Sequence, residues 1–213
     1  MISIVTAGTG DFKIFYDHFK RSVDKQSYTL YTYDLGNLGE GKQFKGRVSH
    51  KVNAKIPSKP SIIRDCMNNI EEDDYLVWMD ADTLLLNNID EVEQDYDIAV
   101  TLRPTQYMMK ENPANAGVLF FRKTEETLKF LDSWVMICEH AESDQTELNK
   151  ILNLKDDDMG KTLDLSGTKI KVFSCQNYNN YFFNDSQEGA SILHFKTSLR
   201  KFHPAFGGNY GNL

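Results

Sequence analysis

Residues 75–83, Tyr-Leu-Val-Trp-Met-Asp80-Ala81-Asp82-Thr83, form the most informative stretch of the sequence, because two carboxylates follow a five-residue apolar run. Such a run predicts a buried strand, whose end then delivers both acids to the edge of a sheet. In an extended backbone residues i and i+2 share a face, so we expect Asp80 and Asp82 to converge. Converging carboxylates repel each other unless a cation neutralises them. The stretch therefore predicts a Mg²⁺ or Mn²⁺ site that holds a diphosphate, with a solvated acidic turn as the alternative.

The overall composition is that of one ordinary globular domain. The 213 residues are 40% hydrophobic and 26% charged, which suffices for a sizeable core, and we assign residues 1–205 to a single domain. The Gly/Asn-rich tail, residues 206–213, is expected to be a frayed terminus or a linker to a further domain. A formal charge of −7 without a long Lys/Arg block argues against a nucleic-acid partner.

The cysteines and the N-terminal sequence indicate the cellular compartment of the protein. Cys66, Cys138 and Cys175 are odd in number and far apart, which argues against a zinc site or a disulfide scaffold and favours a reducing compartment. The chain enters Ile-Ser-Ile-Val directly, without a signal-like segment, and no stretch is long and apolar enough to span a bilayer. We therefore expect a cytoplasmic protein without a transmembrane segment.

Strands and helices alternate along the first half of the chain. This alternation predicts an α/β fold, with a central, mostly parallel mixed sheet flanked by helices. Ligands of such sheets bind beyond the carboxyl ends of the strands, where the loop Ala7-Gly8-Thr9-Gly10 and the acidic pair would both lie. The predicted strands are 1–6, 28–33, 75–79, 98–102, 117–121, 170–173 and 191–195, and the predicted helices start near Phe12, Ser58, Thr124 and Ser143.

The order of the motifs resembles that of the GT-A glycosyltransferases, the nucleotide-diphospho-sugar transferase fold. The matching motifs are the glycine loop, Asp80-Ala81-Asp82, Asn115-Ala116-Gly117, Asp144-Gln145 and His194-Phe195. The group of glycogenin and the bacterial galactosyltransferases is the most similar, and small glycosyltransferase domains encoded by large algal viruses also look similar. A viral origin would place the protein in the host cytoplasm and would explain a linker-like tail.

The resemblance implies roles for residues around the nucleotide and the metal. Asp80, Asp82 and His194 would be metal ligands, with Mn²⁺ or Mg²⁺ bridging the two phosphates. Lys196 would neutralise the diphosphate as it leaves. The residues implied to line the nucleotide are Thr6, Ala7, Gly8 and Arg64, together with Asp80, Ala81 and Asp82. Without a ligand, the glycine loop is an ordinary strand-to-helix turn and Arg64 a solvent-exposed helix residue.

The resemblance also implies a reaction. Asn115, Ala116 and Gly117 would contact the donor sugar and the acceptor, and Asp144 and Gln145 would act with Asp80 in catalysis by binding the hydroxyls of the sugar. The implied activity is the metal-dependent transfer of a sugar from a UDP-sugar, such as UDP-glucose or a related hexose or deoxyhexose, to a glycan or glycoprotein hydroxyl, with retention. Helix capping is the alternative role of Asp144.

Two features leave alternatives open. The family pattern after the histidine contains a Gly and a Trp that His194-Phe-Lys-Thr-Ser-Leu-Arg-Lys-Phe-His-Pro204 lacks, so the residue that binds the diphosphate could be Lys196, Arg200, Lys201 or His203. The Asp80-Ala-Asp82-Thr83 string also fits a phosphatase of the haloacid dehalogenase type, in which Asp80 would be the nucleophile. A non-catalytic module that binds nucleotide sugars or carbohydrates is the third interpretation.

Overall fold

The computed structural model describes residues 1–8, 12–35, 58–104, 112–181 and 189–207. Most of the predicted loop at 35–55, Thr9 and Gly10 of the glycine loop, and residues 208–213 of the tail lie outside these ranges. The strands of the described chain are β1 Ile2–Gly8, β2 Thr29–Asp34, β3 Tyr75–Met79, β4 Thr83–Leu85, β5 Ile98–Leu102, β6 Ala114–Arg122, β7 Thr162–Leu165, β8 Thr168–Ser174 and β9 Ile192–His194.

The helices follow the apolar periodicity and the capping residues of the sequence. They are α1 Lys13–Asp24, α2 Lys59–Cys66, α3 Glu125–Cys138, α4 Asp144–Leu152 and α5 Cys175–Tyr178, and a 3₁₀ segment covers Thr197–Phe202. Thr124 and Ser143 each accept a hydrogen bond from the backbone N–H three residues on, which stabilises the starts of α3 and α4 by roughly 1 kcal/mol each. Among the described residues, no helix is both long and apolar enough to cross a membrane.

Seven strands form one mixed sheet in the order β2-β1-β3-β6-β5-β8-β7. Strands β1, β2, β3, β5 and β8 run parallel, whereas β6 and β7 run antiparallel to them. The carboxyl ends of β1, β3 and β5 and the start of β6 therefore meet at one edge of the sheet. The remaining strands, β4 and β9, form a separate antiparallel pair. This architecture confirms the predicted α/β class and its mostly parallel mixed sheet.

Helices cover both faces of the large sheet. On one face Val5, Leu76 and Val100 pack under α2, α3 and α4 in a cluster that contains the fully buried Trp134. On the other face Ile4, Val77 and other strand residues meet Phe19 and Val23 of α1. Successive residues of a strand such as β1 thus face opposite cores, which explains why the predicted strands are continuous apolar runs.

Some boundaries differ from the sequence prediction. Strand β1 continues to Gly8 and does not end at Thr6, because β2 pairs with it as far as the Gly8–Asp34 pair. Strand β6 begins at Ala114, so the Asn-Ala-Gly motif lies inside a strand and not before one. The short strands β4 and β7 were not predicted. Neither is long enough to show a periodic pattern, since β4 has three residues and β7 four.

Candidate functional site

A tight turn brings the two acids of the opening motif together. Asp80 and Asp82 follow β3, and the Asp80 carbonyl accepts hydrogen bonds from the Thr83 N–H at 3.0 Å and from the Thr83 hydroxyl at 2.8 Å. The sequence prediction of convergence holds, but its reason was wrong, because the backbone at Ala81 and Asp82 forms a turn and is not extended. The turn buries Asp82 and leaves Asp80 about one-third exposed.

Pairing of β4 with β9 adds a histidine to this turn. Thr83 lies opposite His194 in the register, and the Phe195 N–H donates to the Asp82 carbonyl at 2.9 Å. The buried His194 Nε2 then lies 3.3 Å from Asp82 Oδ1 and 3.8 Å from Asp80 Oδ2. One ligand atom from each of the three side chains lies within 4.8 Å of the others. We call these three residues the Asp-Asp-His cluster.

Protein donors hold one oxygen of each carboxylate and leave the other to face the histidine. Asp80 Oδ1 accepts hydrogen bonds from Lys59 Nζ at 3.0 Å and from Trp78 Nε1 at 2.8 Å. Asp82 Oδ2 accepts one from Arg200 Nε at 2.7 Å. Each carboxylate is therefore oriented before any ligand arrives, with Asp80 Oδ2 and Asp82 Oδ1 directed at a common point.

Hydrogen bonds behind His194 fix which ring nitrogen carries the proton. The Thr101 hydroxyl donates to the Asn115 carbonyl at 3.2 Å, so it accepts from Asn179 Nδ2 at 2.8 Å. That orientation points Asn179 Oδ1 at His194 Nδ1, 2.8 Å away, and the ring donates its Nδ1–H to it. When the ring is neutral, as a metal ligand must be, its Nε2 lone pair consequently faces Asp80 and Asp82.

The charges of the cluster suit a divalent cation. Burial would raise the pKa of Asp82, but a protonated His194 and the Arg200 guanidinium outweigh that effect and hold the pKa well below the usual range. Asp82 is therefore ionised despite being buried. Two carboxylate oxygens and a neutral imidazole nitrogen are ligands of the kind that first-row divalent metals bind. The residues present thus fit the predicted metal ion.

The Lys59 ammonium lies close to both Asp80 and Asp144, a position that the sequence analysis did not predict. Its Nζ is mostly buried and donates to Asp80 and, at 2.7 Å, to the Ala116 carbonyl, and it lies 3.8 Å from Asp144 Oδ2. Desolvation lowers the pKa of Lys59, but the effects of Asp80 and Asp144 exceed it, and the pKa is raised overall. The Lys59 ammonium is therefore charged and joins the acidic pair to α4.

Arg64, the residue expected to face the nucleotide, lies elsewhere on α2. Its Nε donates to Asp132 Oδ1 of α3 at 2.7 Å, and Nη1 donates to Asn68 at 3.4 Å. Residues five apart are about 140° apart around a helix, so Lys59 and Arg64 point in different directions. The structure brings Lys59 to the cluster and places the Arg64 guanidinium in the groove between α2 and α3.

A hydrogen bond to the start of α4 holds the Asn-Ala-Gly motif next to the site. Gln145 Oε1 accepts a hydrogen bond from the Ala116 N–H at 3.2 Å, and the Asp144 carboxylate accepts one from the Gln145 N–H. Gly117 packs flat against His194, since a Cβ at Gly117 would lie 2.3 Å from the imidazole Cε1. The motif thus lies beside the cluster, and its glycine makes room for the ring.

The predicted nucleotide residues lie at the same sheet edge, at the end of β1. Thr6 and Gly8 are buried, and Ala7 is partly buried. The Thr6 hydroxyl has no hydrogen-bond partner within the described chain. A Cβ at Gly8 would lie 2.8 Å from the Tyr16 hydroxyl of α1, so glycine allows this helix to approach the strand closely. Ala81 is buried inside the acidic turn.

The four basic residues after the histidine occupy four different environments. Arg200 binds Asp82 and lies over the Phe12 ring, with its Cζ 4.8 Å from the centroid. Burial and the nearby Arg103 lower the pKa of Lys196 overall, against the opposing effects of Asp80 and Asp82. Lys201 is exposed, with its ammonium over Phe202. His203 is fully buried. Arg200 thus contacts the cluster directly, whereas Lys196 interacts electrostatically with its two acids.

Comparison with known proteins identifies relatives of this arrangement. Residues 64–198 match the family described as nucleotide-diphospho-sugar transferase. A glycosyltransferase involved in the glycosylation of the major capsid of PBCV-1 is 12% identical, with a TM-score of 0.62 over 97% of this chain and 98% of that one. Comparison with curated proteins gave no significant match.

Two bacterial structures share the fold. The glycosyltransferase GlyE of Streptococcus pneumoniae TIGR4 is 13% identical with a TM-score of 0.59, and the match covers all of this chain but only 62% of GlyE. The galactosyltransferase LgtC, solved with donor and acceptor sugar analogs, is 13% identical with a TM-score of 0.53 over 97% of this chain and 95% of LgtC. At these identities the structural likeness establishes the GT-A-like fold.

Proposed function

This chain belongs to the nucleotide-diphospho-sugar transferase family, and we propose that it is a divalent-metal-dependent hexosyltransferase. It takes a sugar from a UDP-sugar and passes it to a hydroxyl of a glycan or glycoprotein, with retention at the anomeric carbon. Family membership removes the phosphatase interpretation, in which Asp80 would be a nucleophile. The non-catalytic binding module remains as the alternative that experiment must separate.

The Asp-Asp-His cluster is the observation that carries this proposal. Three buried or partly buried ligand atoms lie within 4.8 Å of one another, and the lone pair of His194 Nε2 faces the two acids. Such a donor set suits Mn²⁺ better than Mg²⁺, because Mg²⁺ takes oxygen ligands almost throughout. When bound, the cation stabilises the negative charge that develops on the diphosphate as the bond to the sugar breaks.

Side chains of this protein supply the rest of the chemistry. Lys59 and Arg200 hold the outer oxygens of Asp80 and Asp82 and so fix the inner oxygens toward the ligand. Lys196 adds positive charge near the same acids and stabilises the departing diphosphate. Asp144 and Gln145, at the N-terminus of α4, bind hydroxyls of the donor sugar. A diphosphate oxygen takes the proton of the acceptor hydroxyl on the retained face.

The domain assignment is part of the same proposal. We propose that residues 1–205 form one catalytic domain. Packing onto α1 continues slightly beyond this boundary, since the Phe206 ring lies edge-on to Phe15 with the centroids 5.6 Å apart.

Donor hydrolysis in the absence of an acceptor tests the proposed function. Nucleotide release is measured with Mn²⁺ over a panel of UDP-glucose, UDP-galactose and GDP-mannose, and again in EDTA. We expect slow UDP release that EDTA abolishes and that Asp82→Asn lowers by about 1,000-fold, because that substitution removes an ionised ligand. The matched control is Asp157→Asn, an exposed acid paired with Lys161, which should keep the wild-type rate.

Three results would contradict the proposal. Equal rates in EDTA would exclude the metal mechanism. Tight binding of a UDP-sugar without any hydrolysis or transfer would favour the non-catalytic module. Wild-type rates in Asp82→Asn would remove the cluster from the reaction, provided that thermal unfolding shows both variants to be folded.

A further inference from the structure

Arg103 is a buried cation beside the candidate site that the proposed mechanism does not use. It follows β5 directly, and only 2% of its surface is exposed. Its Nε donates to the Tyr181 hydroxyl at 2.7 Å, and Nη1 donates to the Ala114 carbonyl at 3.3 Å. Both partners are neutral, and together they use only part of the hydrogen-bonding capacity of a guanidinium.

The charge of Arg103 is not balanced within the part of the chain that the structure describes. Across residues 1–8, 12–35, 58–104, 112–181 and 189–207, no carboxylate forms an ion pair with it. The nearby Lys196 is a second cation, and the two interact electrostatically. Burying a charge without a counter-charge is costly, and an anionic ligand would offset this cost.

The order of the strands along the carboxyl edge indicates which ligand would lie next to Arg103. Across the carboxyl edge of the sheet, β1 ends at the predicted nucleotide residues and Asp80 follows β3. The Asn115 motif lies at the start of β6, and Arg103 follows β5. The donor would span this edge from nucleoside to diphosphate to sugar. Arg103 therefore lies on the far side of the cluster from the nucleotide residues, where the acceptor must approach the sugar.

We propose that Arg103 binds an anionic group, a carboxylate or a phosphate, on the acceptor. The proposal rests on the proposed function, because the position of the acceptor follows from that of the donor. Guanidinium groups pair with carboxylates and phosphates through parallel N–H···O bonds, for which Tyr181 and Ala114 hold the Arg103 side chain in place. The acceptor is thus an acidic or phosphorylated sugar, and neutral sugars bind more weakly.

Binding of small acceptor probes to the protein loaded with Mn²⁺ and UDP tests this proposal. The probes are methyl glucuronide against methyl glucoside, and glucose 6-phosphate against glucose, measured by calorimetry or saturation-transfer NMR. We expect at least one anionic probe to bind roughly 10- to 100-fold more tightly than its neutral partner. Arg103→Gln should bring that ratio close to one, and Arg103→Lys should keep part of it. The exposed Arg21→Gln serves as the matched control and should keep the wild-type ratio.

The outcomes separate this proposal from the proposed function. Equal binding of charged and neutral probes by the wild-type protein would overturn the role of Arg103, whether or not Arg103→Gln folds. An unchanged ratio of the two probe affinities in a folded Arg103→Gln would also overturn it. A preference of the wild-type protein for UDP-glucuronic acid over UDP-glucose that Arg103→Gln abolishes would assign the anion to the donor and overturn the acceptor role. If the wild-type protein shows no metal-dependent UDP release but still binds the anionic probe more tightly than its neutral partner, only the proposed function is contradicted.

Discussion

Two buried histidines, nine residues apart in the chain, lie in regions that give them opposite properties. His194 donates its Nδ1–H to Asn179 and turns the Nε2 lone pair toward two carboxylates. His203 instead accepts a hydrogen bond from the Ala205 N–H at its Nδ1. Its ring is enclosed by the rings of Phe15 and Phe195, each with its centroid 4.7 Å away.

The difference shows that the partner of one ring nitrogen decides what the other can do. Because an acceptor faces Nδ1 of His194, its Nε2 is left as a ligand. Because a donor faces Nδ1 of His203, its Nε2 carries a hydrogen that is buried without a partner within the described chain. Burial, together with the nearby His18, lowers the pKa of His203 to about 4. The first histidine is built to bind a cation and the second to stay neutral.

Exchanging each histidine for asparagine should give the largest difference between the two regions. His194→Asn removes a direct ligand, so we expect Mn²⁺ affinity to fall by more than about 100-fold, beyond the loss typical of outer partners. His203→Asn should keep the wild-type affinity, since its ring is not part of the cluster. Titration of Mn²⁺ followed by EPR measures both. Equal losses would mean that the two regions are not functionally distinct.

The pH dependence of stability should reveal the neutral histidine. The pKa of His203 is lower in the folded than in the unfolded protein, so its stabilising contribution is complete above about pH 6.5 and is lost as pH falls toward 4. The loss amounts to about 3 kcal/mol. Urea unfolding at pH 7, 5 and 4 should therefore show a shallower decline for His203→Asn than for the wild type. Carboxylates titrate in both proteins, so parallel declines would contradict the neutral assignment.

Replacing the partner of His194 should have the smallest of the three effects. Asn179→Leu removes the acceptor that fixes the Nδ1–H tautomer but leaves Asp80, Asp82 and His194 in place, and we expect Mn²⁺ affinity to fall about 10-fold. Asn179→Asp is the matched control, because a carboxylate still accepts from Nδ1 and should preserve the affinity. If Asn179→Leu binds Mn²⁺ as the wild type does, the tautomer does not depend on Asn179.

Local patterns predicted the elements and the two acids of the cluster, and the family resemblance added the histidine. The apolar run 75–79, the caps at Thr124 and Ser143, and the spacing of Phe15, Phe19 and Val23 are signals carried by neighbouring residues, and the structure contains each corresponding element. Asp80 and Asp82 were proposed from the apolar run before them and His194 from the family resemblance, and the fold brings the three side chains together. Their metal binding remains a prediction.

Roles that depend on packing across the fold could not be predicted from the sequence. Lys59 precedes a proline at a helix start and carries no motif, and only the direction of α2 shows that it, and not Arg64, meets Asp80. Asn179 and Arg103 are single polar residues in ordinary surroundings, and their importance follows from partners in distant strands. The residue types alone contain no such information.

The small sheet formed by β4 and β9 has a consequence for the order in which the molecule folds. It joins Thr83 to His194, about 110 positions apart, whereas every strand of the large sheet precedes residue 175. Closing so long a loop is entropically unfavourable and comes late when more local contacts can form first. During synthesis the large sheet can be complete while the histidine has not yet emerged from the ribosome. We therefore expect the cluster to assemble late in folding, and a chain interrupted before Ile192 carries its acids without their third partner.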